Sequence, residues 1–86
     1  MVQQRTVKIS LTDSGEYLGF RGNEFFLNDK NRKEKGSWDI EHKEISEIVL
    51  KAGNLVSTNA LETALEWKIS MVITRWNSEP IGVLKA

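Results

Sequence analysis

The sequence predicts an α+β domain in which mostly antiparallel β-strands, arranged as hairpins, pack with one amphipathic α-helix at about residues 58–68. Three observations predict it: Val7, Ile9 and Leu11 alternate with polar residues; short apolar runs are separated by Asp-Ser-Gly, Gly-Asn and Asn-Asp turn signals; and Ala60, Leu61, Ala64, Leu65 and Trp67 recur at helical spacing behind a run of capping residues.

Taken in order, Val7, Ile9 and Leu11 form a strand with one buried face, and Asp13, Ser14 and Gly15 turn the chain. Tyr17, Leu18 and Phe20 form a second run that Gly22-Asn23 closes, and Phe25, Phe26 and Leu27 form a third before Asn28-Asp29, so the two read as a hairpin. Residues 30–36 are almost wholly polar and are read as an exposed loop, with the next strand beginning near Trp38. Ile45, Ile48, Val49 and Leu50 mix helical and strand spacing; Gly53-Asn54 follows so soon that a turn into a buried strand is the better reading. Ser57, Thr58 and Asn59 offer side-chain caps, and Glu62 lies three residues beyond Asn59 as in a capping box, with the Ala60 to Trp67 face expected on the sheet. Residues 69–74 are a β-branched run suited to a central strand, residues 77–80 a turn, and residues 81–84 the return strand.

With 86 residues there is room for one hydrophobic core, so a single domain is expected and any function works on one surface or across an interface. The 12 basic and 12 acidic side chains cancel, which leaves no long-range field to draw the molecule onto nucleic acid or an anionic membrane. The absence of cysteine excludes disulfide and thiolate-zinc chemistry and fits a cytoplasmic setting. Residues 1–5 lead into a strand and not into an apolar stretch, so no signal peptide is expected, and no apolar segment approaches membrane-spanning length.

Chemistry-bearing groups are sparse. Asp39, Glu41, His42, Glu44 and Glu47 are the densest set of potential metal ligands, but strand alternation turns His42 away from Asp39 and Glu41, so solvated surface is the better reading. His42 is the sole histidine and no triad or carboxylate pair can be built on it; no catalytic or metal-binding residue is assigned. Arg21, Lys30, Arg32, Lys33 and Lys35 are the candidate nucleic-acid contacts, diluted by Asp29 and Glu34 within the same stretch. Phe25 and Phe26 cannot both face inward on a regular strand, and Trp76 sits beside a turn, so Phe25, Phe26, Trp38 and Trp76 are the candidate interface residues.

The order of these elements resembles a known family. Tyr17-Leu18 through Gly22-Asn23, Ile45 to Leu50 with Gly53-Asn54, the Val56-Ser57-Thr58-Asn59-Ala60-Leu61 helix start, and Asn77 followed by Pro80-Ile81-Gly82 are together similar to the amino-terminal β-rich domain of the CRISPR-associated spacer-acquisition endonuclease and integrase, the Cas-one family. The sequence departs from the family at Lys68, where members often carry the glycine that ends the helix, and at Ser78, where an Asn-Gly turn is usual. A non-glycine residue in the left-handed region costs about 1 kcal/mol, which such a fold can absorb.

The resemblance implies a role in CRISPR spacer acquisition, an antiviral defence, through a metal-dependent DNA endonuclease and integrase working with a second CRISPR adaptation protein. It places the metal ligands, for Mg or Mn, in a helical carboxy-terminal catalytic domain that residues 1–86 do not include, so this chain is expected to hold no cofactor and to lack intrinsic catalysis. What it implies for these residues is a homodimerising scaffold that positions a separate or missing catalytic half on DNA, in the cytoplasm and away from membranes. The alternative from a different class is a small β-barrel module that binds nucleic acid through Arg21, the Lys30 to Lys35 stretch and exposed aromatics.

Overall fold

In the computed structural model, which describes residues 6–75 and 80–84, two four-stranded sheets enclose one apolar core and a single helix packs beside them. The elements are β1 (Thr6–Ser10), β2 (Tyr17–Arg21), β3 (Glu24–Asn28), β4 (Glu34–Asp39), β5 (Glu44–Lys51), β6 (Leu55–Val56), α1 (Thr58–Glu66), β7 (Ser70–Thr74) and β8 (Pro80–Leu84). One sheet runs β1-β5-β7-β8 and the other β4-β3-β2-β6. The α+β class and the hairpins are as the sequence predicts. The sheets are nevertheless mixed: β2-β3, β3-β4 and β7-β8 are antiparallel, whereas β1-β5, β5-β7 and β2-β6 are parallel. Parallel partners need a crossover, here β6 and α1 between β5 and β7, so they pair segments distant in sequence. Both sheets have free edges among the described residues, which removes the closed barrel of the alternative reading.

The irregular spacing of Ile45, Ile48 and Leu50 has a single cause. Val7 pairs with Ile45, but Lys8 pairs with Glu47, so Ser46 is an extra residue bulged out of β5. Its hydroxyl donates to the Val7 carbonyl at 3.3 Å. Beyond the bulge the alternation resumes, and Ile45, Ile48 and Leu50 all reach the core with Ile9, Leu18, Phe25, Leu27, Ala60, Ala64 and Met71. Burial of this set at roughly 1.5–3 kcal/mol per large side chain dominates the stability of so small a domain.

The β2-β3 hairpin closes through Gly22-Asn23, with Gly22 at φ 60°, a conformation that other residues adopt only at a cost. The next strand begins at Glu34 and not near Trp38, so the exposed turn shrinks to the residues around 29–33. Asp29 makes that turn: its Oδ1 accepts the Asn31 and Lys33 amides at 2.8 and 2.9 Å.

At α1 the cap is Ser57, whose Oγ accepts the Ala60 amide at 3.1 Å, so the Asn59-Glu62 box is not the one used. The helix ends at Glu66 with Trp67 as C-cap and Lys68 at φ 57°, the left-handed position anticipated there. Its buried face is Ala60, Thr63 and Ala64; Leu65 and Trp67 are 43% and 53% exposed, a correction to the expected face. Leu65 lies one residue, about a quarter-turn, past Ala64, and Trp67 sits where the chain leaves helical geometry. Ser78 and Trp76 lie outside the described residues.

Candidate interaction surface

The outer face of β2-β3-β4 is built around a glycine. Gly19 pairs with Phe26, and a Cβ at Gly19 would overlap the Phe26 ring and stand 2.9 Å from the Tyr17 ring, so the missing side chain is what lets Phe26 lie flat across β2. The Tyr17 and Phe26 ring centroids are 5.9 Å apart and tilted at 49°, and the Arg21 guanidinium sits 4.3 Å above the Phe26 centroid. Arg21 also bonds Glu34 through Nη2 and faces Glu24 at 3.7 Å, so its charge is already answered within the chain.

Lys35 is likewise engaged. Leu27 pairs with Gly36 and Asn28 with Glu34, so Lys35 is the extra residue of a bulge in β4, re-aimed toward the turn after β1. There its ammonium bonds Glu16, which is only 1% exposed, and faces Asp13 at 3.8 Å. Burial pushes the Glu16 carboxyl up, but the Lys35 ammonium and the Asp13 and Thr12 amides outweigh that, and its pKa falls below the ordinary value. Glu16 raises the Lys35 pKa in turn. Asn54 completes the latch, accepting the Lys51 amide at 2.6 Å and donating to the Asp13 carbonyl at 2.7 Å.

Of the five candidate basic contacts, Lys30, Arg32 and Lys33 therefore remain as exposed cations with no ion pair among the described residues. The two acids that dilute them in the sequence are turned elsewhere, Glu34 to Arg21 and Asp29 to backbone amides, which hold the Asp29 carboxyl below its usual range. Asp39 behaves similarly: its Oδ1 accepts the Glu41 amide at 2.8 Å and its Oδ2 faces His42 Nδ1 at 3.2 Å, and the amide first, then His42, lowers its pKa. Among the described residues no three His, Cys, Asp or Glu side chains converge as metal ligands.

Phe25 is fully buried and packs edge-on against Phe20 at 5.0 Å, so it belongs to the core and not to an interface. Phe26 takes the outward position that alternation leaves it, and Trp38, opposite Phe25, packs partly against the core. Among the described residues the large exposed apolar side chains are others: Leu55, Leu65, Trp67, Ile81 and Val83. Ile81 and Val83 lie on β8, an edge of its sheet among the described residues, within the uncharged run Pro80-Ile81-Gly82-Val83-Leu84.

No protein-family model matches the chain, and no curated protein matches it in sequence. Solved structures do share its fold. A chain of a partial Cas6-RT-Cas1-Cas2 complex superposes with a TM-score of 0.83 at 15% identity over 95% of this chain and 24% of that one. A CAS1 protein from Thermotoga maritima gives 0.72 at 16% identity over 92% of this chain and 24% of that one. A casposase bound to integration product gives 0.69 at 10% identity, covering 95% and 25%. The molecule thus has the two-sheet fold of a part of these proteins, and spans about a quarter of their length. At such identities the likeness defines the fold. No helix among the described residues is long and apolar enough to cross a membrane.

Proposed function

We propose that this domain is a non-catalytic, self-associating scaffold of a Cas1-type CRISPR adaptation integrase, the counterpart of the family's amino-terminal domain. The observation that carries the reading is the match of nearly the whole chain, 95% and 92%, to part of Cas1-containing structures. The charge pattern supports it: Arg21, Lys35, Asp29 and Asp39 are spent on holding the domain together, and the exposed large apolar groups among the described residues lie on β6, at α1 and its C-cap, and on β8. In this reading the domain pairs two copies, and a helical catalytic part, in the same or a separate polypeptide, supplies the Mg or Mn site and the DNA chemistry. A second adaptation protein and DNA join through the full complex, in the cytoplasm. Sedimentation velocity of the purified chain, alone and mixed with a candidate helical half, tests it. A dimer that co-sediments with that half is expected; a monomer indifferent to it would refute the scaffold role.

One observation favours a second reading in which the β3-β4 turn touches nucleic acid. Lys30, Arg32 and Lys33 stand at one tip without acidic partners, and three point charges on a turn suit a phosphate backbone more than base edges. Binding of a single-stranded oligonucleotide with a steep salt dependence, lost in a triple alanine variant at Lys30, Arg32 and Lys33, would support this reading. Binding unchanged in that variant would end it.

A further inference from the structure

Among the described residues, two that are not glycine adopt a left-handed backbone: Lys68 at φ 57° and Arg32 at φ 66°. At Lys68 the reason is the helix, because a left-handed residue just past the C-cap is a common way for a helix to end. At Arg32 the reason is the hairpin. The Arg32 amide donates to the Asp29 carbonyl at 3.0 Å and the Asp29 amide donates to the Lys33 carbonyl at 2.8 Å. Residues 29–32 thus close a tight turn, and Arg32 fills the left-handed position that completes it. Glycine takes such a position freely and asparagine with little strain. The chain has its asparagine one place earlier, at Asn31, and sets an arginine at the strained place.

The turn beneath Arg32 is fixed from two sides. Asp29 Oδ1 accepts the Asn31 and Lys33 amides at 2.8 and 2.9 Å. A Cβ on Gly15 would come within 3.2 Å of the Lys30 Cβ, so the turn after β1 packs closely against this one. Arg32 itself is exposed, and no acidic side chain pairs with it among the described residues.

We infer that Arg32 is the anchor of the β3-β4 turn, holding one backbone phosphate of a nucleic-acid strand through two parallel N–H donors, while Lys30 and Lys33 add charge alone. This rests on the second reading above and assigns the roles within that site. A guanidinium presents a planar fork that matches two phosphate oxygens, whereas an ammonium is a compact point charge. A side chain carried on a fixed turn loses less freedom on binding than one carried on a mobile loop. Glycine at position 32 would relax the turn and remove the fork, so stability and binding are opposed there, as at other strained functional positions. Lys68 is strained in the same way but belongs to a helix end, which makes it the control.

Fluorescence anisotropy of a labelled single-stranded oligothymidylate with the whole chain, over a salt series, tests the assignment beside thermal unfolding. Arg32→Gly should raise the melting temperature and weaken binding about tenfold or more. Its slope of log affinity against log salt should be smaller by about 0.7, the loss of one phosphate contact on a single strand. Lys68→Gly should also raise the melting temperature and leave binding unchanged. Arg32→Lys keeps the charge, so it should keep the salt slope and still lose affinity. Lys30→Ala and Lys33→Ala should each lower the slope, with smaller losses of affinity than Arg32→Gly. If Arg32→Lys binds as wild type does, or Arg32→Gly loses no more than Lys30→Ala, the anchoring role is overturned and the phosphate-contact reading stands. A wild-type chain that does not bind, or binding that survives alanine at all three positions, would overturn both.

Discussion

At β4 the sheet edge carries Glu34, Lys35 and Asp39, each bonded inside the chain, whereas at β8 the edge carries no charge and leaves Ile81 and Val83 half exposed. The β4 edge spends its polar groups on rigidity: Arg21 bridges Glu24 and Glu34 across three strands, and Lys35 ties β4 to the turn after β1. The β8 edge has no such closure. A basic residue seen in sequence is therefore a poor guide to a binding surface until its acid is located, and an uncharged edge strand is a better one.

That contrast can be broken at several points. Phe25→Ala removes the largest fully buried side chain and should cost about 3–5 kcal/mol by urea unfolding. It acts on the core both edges share, so self-association should fall only with folding. Glu16→Ala opens the latch on the β4 side and should cost about 1.5–3 kcal/mol. Because the folded pKa of Glu16 is lowered, its contribution is present above the unfolded value near 4.5 and is lost as pH falls through the folded value. Wild type should thus lose stability on acidification in a window that Glu16→Ala lacks, and Lys35→Met should flatten the same slope. Gly19→Ala pushes Phe26 off β2 and should cost about 1–3 kcal/mol, with a changed Tyr17 fluorescence and an unchanged β8 edge. Lys68→Gly relieves a left-handed residue and should stabilise by about 1 kcal/mol, visible as a higher melting temperature.

Local patterns gave away what depends on neighbours in sequence. The β2-β3 hairpin and the Lys68 position follow from turn residues and alternation that act within a few positions, and the antiparallel β7-β8 pair joins strands close in sequence. The parallel ladders do not, because nothing near Val7 announces that Ile45 will lie beside it, and the Ser46 bulge disguised the strand period that would have helped. The site was harder to read. Lys35 and Glu16 are 19 positions apart, so their bond was invisible and Lys35 passed for a free cation. Phe25 and Phe26 were separable in principle, one inward and one outward, but only the pairing of Phe25 with Phe20 and Trp38 decides which. The sequence placed Ile81 and Val83 on a return strand without saying which face is covered, and their exposure goes with β8 being last in its sheet among the described residues.

Small-angle X-ray scattering of the 86-residue chain over a rising concentration series addresses the scaffold role most directly. Forward scattering normalised to concentration should climb toward twice the monomer value, with a radius of gyration well above the 12.6 Å of one copy. A profile fixed at the monomer value up to the highest soluble concentration would contradict it.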